Sequence, residues 1–150
     1  MANFWRFVAV IVGPGALLLL ALVGHTAFDT YLLGNCDPKF GCGGGVQVIA
    51  FVSGLALLCS SLGHLPVCLL FLRMLRQTRA LWLLVAIAAL GLGQGVLFAA
   101  SGDLLPGDSL QSMMAAWAGA SALMALVVLG AVRYWAPNNS FKPKPLRGSA

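Results

Sequence analysis

Apolar residues fill four long runs of this chain, and short polar segments separate the runs. The runs cover residues 7–28, 46–72, 80–100 and 113–135, and charged residues occur in them only near an end. A helix needs about 20 apolar residues to cross the hydrocarbon core of a bilayer. Each run is long enough, so the pattern predicts an all-α membrane protein with four transmembrane helices.

The segments between the runs are short, and short connections favour antiparallel neighbours in an up-down bundle. We therefore expect one transmembrane domain over residues 1–135. The remaining residues, 136–150, are mostly polar and include three prolines. Such a composition does not bury enough apolar surface to fold. It predicts a disordered tail.

Charged residues sort onto opposite ends of the predicted helices. All four acidic residues fall in the first and third connections, and eight of the nine basic residues fall at the other ends or in the tail, with Lys39 the exception. Because an excess of Lys and Arg marks cytoplasmic segments, we expect both termini in the cytoplasm and the connection 29–45 on the outer side. The short loops favour the bacterial inner membrane as the location.

The overall composition supports lipid rather than water or nucleic acid as the surroundings. The chain is 60% hydrophobic and 9% charged, with a net charge of +5, whereas soluble domains carry about 25% charged residues. Its basic residues sit at helix ends and do not alternate with aromatic residues, so nucleic-acid binding is not expected. They are placed to anchor the helices at anionic headgroups.

A cleaved signal peptide is the alternative interpretation of the first run. The apolar part of a signal peptide has only about 7–15 residues and is followed by small residues at the cleavage site. The run 7–28 is longer, and His25 stands where a small residue would be needed. We therefore expect a retained helix.

The first connection contains Cys36 and Cys42, with five residues between them, on the predicted outer side. An oxidising compartment allows a disulfide between them, and such a small ring constrains the unfolded loop by about 2 kcal/mol. A structural staple is one role for the pair, and a redox-active pair is the other. We favour the staple because redox pairs usually have the tighter C-x-x-C spacing.

Polar side chains inside the second and third runs form a candidate intramembrane patch. Its members are Ser60, Ser61, His64, Cys68 and Gln94. An ionisable residue inside a membrane points to function, so His64 is a candidate for a quinone contact, a lipid-headgroup contact or a proton relay. The simpler role, which we favour, is a hydrogen bond to the carbonyl freed by Pro66 or to a serine on a neighbouring helix.

A metal or haem shared by His25 and His64 is not expected, because the two lie about 20 Å apart in depth at the rise of a helix. Cys59 and Cys68, nine residues apart, lie on opposite faces and are expected to pack as small apolar residues.

Small residues recur at a spacing of four in the third and fourth runs. The candidate helix-packing residues are Gly91, Gly95, Ala115, Ala116, Gly119 and Ala120. This spacing lets two membrane helices approach closely. It predicts either an interface within the bundle or a docking face for a second protein.

No spacing typical of catalysis or metal binding occurs in the chain, so no catalytic or metal-ligating residue is assigned. We expect a non-enzymatic accessory or assembly subunit of a larger membrane complex, with another membrane protein or a second copy as partner besides the lipid bilayer. One alternative is a thiol-redox or quinone-linked membrane enzyme that uses Cys36 and Cys42. Another is a small channel or lipid-handling protein lined by Ser60, His64 and Gln94. No cofactor is predicted, although a quinone or bound lipid would accompany these alternatives.

Overall fold

The computed structural model describes residues 2–104 and 110–135, and nearly all of them are helical. The helices are α1 (Ala2–Tyr31), α2 (Gly41–Leu70), α3 (Leu72–Gln77), α4 (Ala80–Leu104) and α5 (Leu110–Trp135). No β-strand forms in the described part of the chain. The predicted all-α fold is confirmed, while the predicted tail lies outside the described residues.

Four of the helices are long and apolar enough to cross a membrane. These stretches are Phe4–Tyr31, Gly41–Leu70, Ala80–Ala100 and Leu110–Trp135, with mean hydropathies between 1.9 and 2.5. Leucine and valine side chains are exposed along all four, and lipid is the solvent that such a surface needs. The structure thus indicates an integral, multi-pass membrane protein.

Helix α2 begins five residues earlier than the hydrophobic run suggests, at Gly41 rather than Val46. The turn before it is held by Asp37, whose Oδ1 accepts hydrogen bonds from the backbone N–H groups of Lys39 (2.7 Å) and Phe40 (3.0 Å). Gly41 then takes a positive φ of 70°, a conformation that glycine adopts without strain. This preformed turn starts the helix, even though the glycines that follow have low helix propensity.

The connection between the second and third runs, which is rich in arginine, is itself mostly helical. Helix α2 ends at Leu70, α3 follows after Phe71, and the extended backbone of Thr78 ends α3. Leu75 is almost fully buried and ties α3 to the core. Arg6 Nη1 donates a hydrogen bond to the Thr78 carbonyl at 3.3 Å, so the start of α1 is also held to this connection.

The four long helices form a ring in the order α1, α2, α5, α4, with extensive contacts between each neighbouring pair. The core lies where these helices meet, and its fully buried members include Val10, Cys68, Leu90, Ala125 and Leu129. In this order α2 lies between α1 and α5. Helices α2 and α4, joined by α3, are not among the extensively contacting pairs of the described residues.

Two glycines that sequence analysis did not single out allow α2 to approach both neighbours. A Cβ atom on Gly15 of α1 would lie 2.6 Å from Leu57 Cδ1 and 2.7 Å from Ser60 Oγ. A Cβ atom on Gly63 of α2 would lie 3.1 Å from the backbone nitrogen of Ala122 in α5. Neither position has room for a side chain, so these contacts are glycine-dependent.

Candidate functional site

The outer-loop candidates, Cys36 and Cys42, form a disulfide in the structure, with their Cα atoms 4.3 Å apart. The predicted pairing is therefore confirmed. Cys42 lies in the first turn of α2, whereas Cys36 lies in the loop, so the bond ties the loop to the helix start. Both residues are exposed. Whether the pair is a staple or redox-active stays a prediction.

The buried imidazole of His64 connects α2 to α1. Its Nδ1 lies 3.2 Å from the backbone carbonyl oxygen of Ile11, and the side chain is fully buried. A carbonyl only accepts, so Nδ1 donates in this contact, and in the neutral imidazole Nε2 then has a free lone pair. Nε2 is buried without a hydrogen-bond partner among the described residues.

A proline lies close to this carbonyl in α1. Pro14 lies inside α1 and has no N–H for the carbonyl four residues earlier, which belongs to Val10. Its ring also crowds the backbone in that turn, where Ile11 is the next residue. The expected partner of His64 was a carbonyl freed by Pro66 or a serine. The partner in the structure is instead a carbonyl beside the proline of a neighbouring helix.

Of the other candidate residues in α2, Ser60 forms a hydrogen bond within the helix and Cys68 packs in the core. Ser60 Oγ donates to the Leu57 carbonyl at 3.0 Å, a bond within its own helix. Cys68 is fully buried in the apolar core, and Ser61 is half-buried. Hydroxyl bonds to the preceding turn are common for helical serines, so Ser60 already has a partner without a bound ligand.

Gln94 forms a polar cluster with two residues of α5. Its Nε2 donates to Ser121 Oγ at 2.9 Å, and its Oε1 accepts from Trp117 Nε1 at 2.9 Å. Gln94 and Ser121 are fully buried. The Trp117 ring also meets the Phe98 ring edge-on, with centroids 6.2 Å apart. We call Gln94, Trp117 and Ser121 the α4–α5 clamp.

The predicted patch is thus divided between two interfaces. The described hydrogen bond of the His64 side chain goes to α1, whereas those of the Gln94 side chain go to α5. Sequence analysis missed Trp117. Trp117 lies four residues before Ser121, so the two share one face of the helix. This spacing could have indicated Trp117 as a second partner of Gln94.

The candidate packing residues lie in several different places. Gly91 faces α1, where an added Cβ would lie 3.3 Å from Leu17 Cδ1. Gly95 and Gly119 have open space around the Cβ position, with nothing within 4 Å. Ala115 and Ala116 are exposed, and Ala120 is half-buried. In α4, the glycine that contacts α5 is Gly93, which packs against Met124.

No cluster of three or more His, Cys, Asp or Glu side chains that could hold a metal ion occurs within residues 2–104 and 110–135. His25 is exposed and lies 3.7 Å from Asp29, measured from Nδ1 to Oδ2. No protein-family model, no curated protein and no solved structure matches the chain.

Proposed function

We propose that this chain is a non-enzymatic accessory or assembly subunit of a larger membrane complex. In this proposal the helices run up and down through the bilayer, with both termini in the cytoplasm. The observation that carries it is an open face of small residues on α5. This face consists of Ala115, Ala116 and Gly119, which we call the small-residue face.

The α4–α5 clamp determines where the small-residue face points. Trp117 and Ser121 are turned toward α4 by their hydrogen bonds to Gln94. Ala115 and Gly119 each lie two residues from Trp117, or about 200° around the helix. They therefore point away from α4, and both are exposed.

A face of this kind suits a second transmembrane helix. Association of helices in lipid depends on close packing, and small residues let two backbones approach. A Cβ on Gly119 would meet nothing within 4 Å, so the face has room for a partner. The partner is either another membrane protein or a second copy of this chain.

The disulfide and the charges support the orientation in the proposal. Disulfides persist in oxidising compartments, so the loop that holds Cys36 and Cys42 belongs on the outer side. The described arginines at positions 6, 73, 76, 79 and 133 lie near the opposite ends of the long helices. An arginine excess at those ends is typical of cytoplasmic segments.

Native purification in mild detergent, followed by mass spectrometry, tests the proposal. The test variant carries Ala115→Leu and Gly119→Leu, which fill the small-residue face. The control carries Ala88→Leu and Ala89→Leu on α4, where both alanines are also exposed. We expect a stoichiometric partner with the wild type and the control, and its loss from the test variant.

Two results would contradict the proposal. One is a wild-type chain that purifies alone and monodisperse even after gentle extraction. The other is a partner that stays bound to the test variant as firmly as to the control. Co-expression of two differently tagged copies separates the remaining cases, because a homo-oligomer carries both tags and a hetero-complex need not.

A thiol-redox membrane enzyme is the second candidate, and the exposure of Cys36 and Cys42 favours it. An exposed disulfide can be attacked by the thiolate of another protein. Replacing both cysteines with serine and measuring thiol oxidation in membranes tests this candidate. Unchanged oxidation would remove it.

A further inference from the structure

We propose that the junction of α2 and α3 binds one anionic phospholipid. The structure has an open cavity of about 590 Å³ at this junction. Its lining consists of Leu69, Leu70, Leu72, Arg73, Arg76 and Gln77. We call this cavity the elbow pocket. The proposal does not depend on the subunit role, because it concerns the chain by itself.

The elbow pocket lies where α2 passes into α3 at Phe71. The Phe71 N–H still bonds to the Val67 carbonyl at 3.0 Å, and the Leu75 N–H bonds to the Phe71 carbonyl at 2.9 Å. Leu75 is buried in the core, which fixes the rotation of α3. With Leu75 directed inward, Arg73 and Arg76 on either side are exposed.

The two halves of the lining have the chemistry of the two halves of a phospholipid. Leu69 and Leu70, at the end of the membrane-length helix α2, are exposed and apolar. Arg73 and Arg76 are three residues apart, a spacing that makes them neighbours on a helix surface. Acyl chains would lie along the leucines, and the guanidinium groups would hold the phosphate through paired hydrogen bonds.

Within the described residues, no carboxylate lies within ion-pair distance of Arg73 or Arg76. Their position at the end of a membrane span is also the depth of the headgroups. A free phosphate would satisfy only the arginines, whereas a phospholipid would also cover the exposed leucines. We therefore assign the pocket to a lipid.

Titration of the purified full-length chain with lipid tests the proposal. The chain is held in a non-ionic detergent, short-chain phosphatidylglycerol or phosphatidylcholine is added, and bound lipid is counted by native mass spectrometry. The test variant is Arg73→Gln with Arg76→Gln. The control is Arg79→Gln with Arg133→Gln, which removes the same charge from exposed residues that do not line the pocket.

We expect one phosphatidylglycerol on the wild type and on the control, and no comparable binding of phosphatidylcholine. An arginine near an anionic lipid contributes about a fivefold gain in affinity. The test variant should therefore bind about thirtyfold more weakly. Thermal unfolding of each variant in detergent confirms that these exposed substitutions leave the fold intact.

Three results would overturn the proposal. Equal weakening in the test variant and the control would indicate diffuse attraction to positive charge. Equal binding of phosphatidylcholine would remove the requirement for an anionic headgroup. Displacement of the lipid by millimolar inorganic phosphate would mean that the arginines bind a free anion and the leucines contribute nothing.

Discussion

Replacing Gly63 with alanine should destabilise the bundle, although alanine is the better helix former. The new Cβ would lie 3.1 Å from both the Ala118 carbonyl carbon and the Ala122 nitrogen, with the Ala118 carbonyl oxygen closer still. All three atoms belong to the α5 backbone, which has no rotamer to change. The contact can be relieved only if α2 and α5 move apart.

The size of the effect follows from two opposing terms. Overpacking of a tight interior typically costs about 1–3 kcal/mol, and backbone neighbours place Gly63 in the upper part of that range. Alanine returns about 0.5–1 kcal/mol because it loses less conformational entropy in a helix than glycine. We expect a net loss of about 1–2 kcal/mol in the free energy of unfolding.

Gly54 provides a matched control in the same helix. A Cβ at this position would meet nothing within 4 Å, so Gly54→Ala should stabilise the protein by about 0.5–1 kcal/mol. Unfolding of both variants in detergent, followed by circular dichroism, measures the difference. If Gly63→Ala proved as stable as Gly54→Ala, the close approach of α2 and α5 would be refuted.

Two further predictions concern the clamp and the loop. Gln94→Leu removes two hydrogen bonds between α4 and α5, worth about 0.6 kcal/mol each in membrane proteins. It should lower the free energy of unfolding by about 1 kcal/mol, whereas Gln47→Leu at an exposed position should leave it unchanged. Replacing Cys36 and Cys42 with serine should cost about 2 kcal/mol and accelerate hydrogen exchange in the first turn of α2. Unchanged exchange there would show that the disulfide does not hold the helix start.

The helix boundaries show where sequence analysis stops being sufficient. Hydropathy is summed over a run, so the four membrane-length helices could be predicted without knowledge of their neighbours. The start of α2 could not, because Gly43, Gly44 and Gly45 have poor helix propensity. The turn built by Asp37 overrides that propensity. Gly45 packs against this turn, because a Cβ atom added to Gly45 would lie 3.2 Å from the Asp37 Cβ.

For the candidate residues, too, the sequence was sufficient for some predictions and not for others. The short separation of Cys36 and Cys42 determined that they could pair, because a small loop keeps their backbones close. The partners of His64 and Gln94 were not determined by local sequence. They depend on which helix lies beside α2 and α4 and on how each helix is rotated.

The sequence by itself determined that this is an all-α chain with four membrane-length helices and a short loop closed by two cysteines. The tertiary structure decided that α2 packs between α1 and α5, that His64 meets Ile11, and that Gln94 meets Trp117. The physical reason is that a membrane helix is apolar on its lipid side as well as on its protein side. Neighbour and rotation are therefore selected by close backbone approach at residues such as Gly15 and Gly63, and by a few hydrogen bonds between helices.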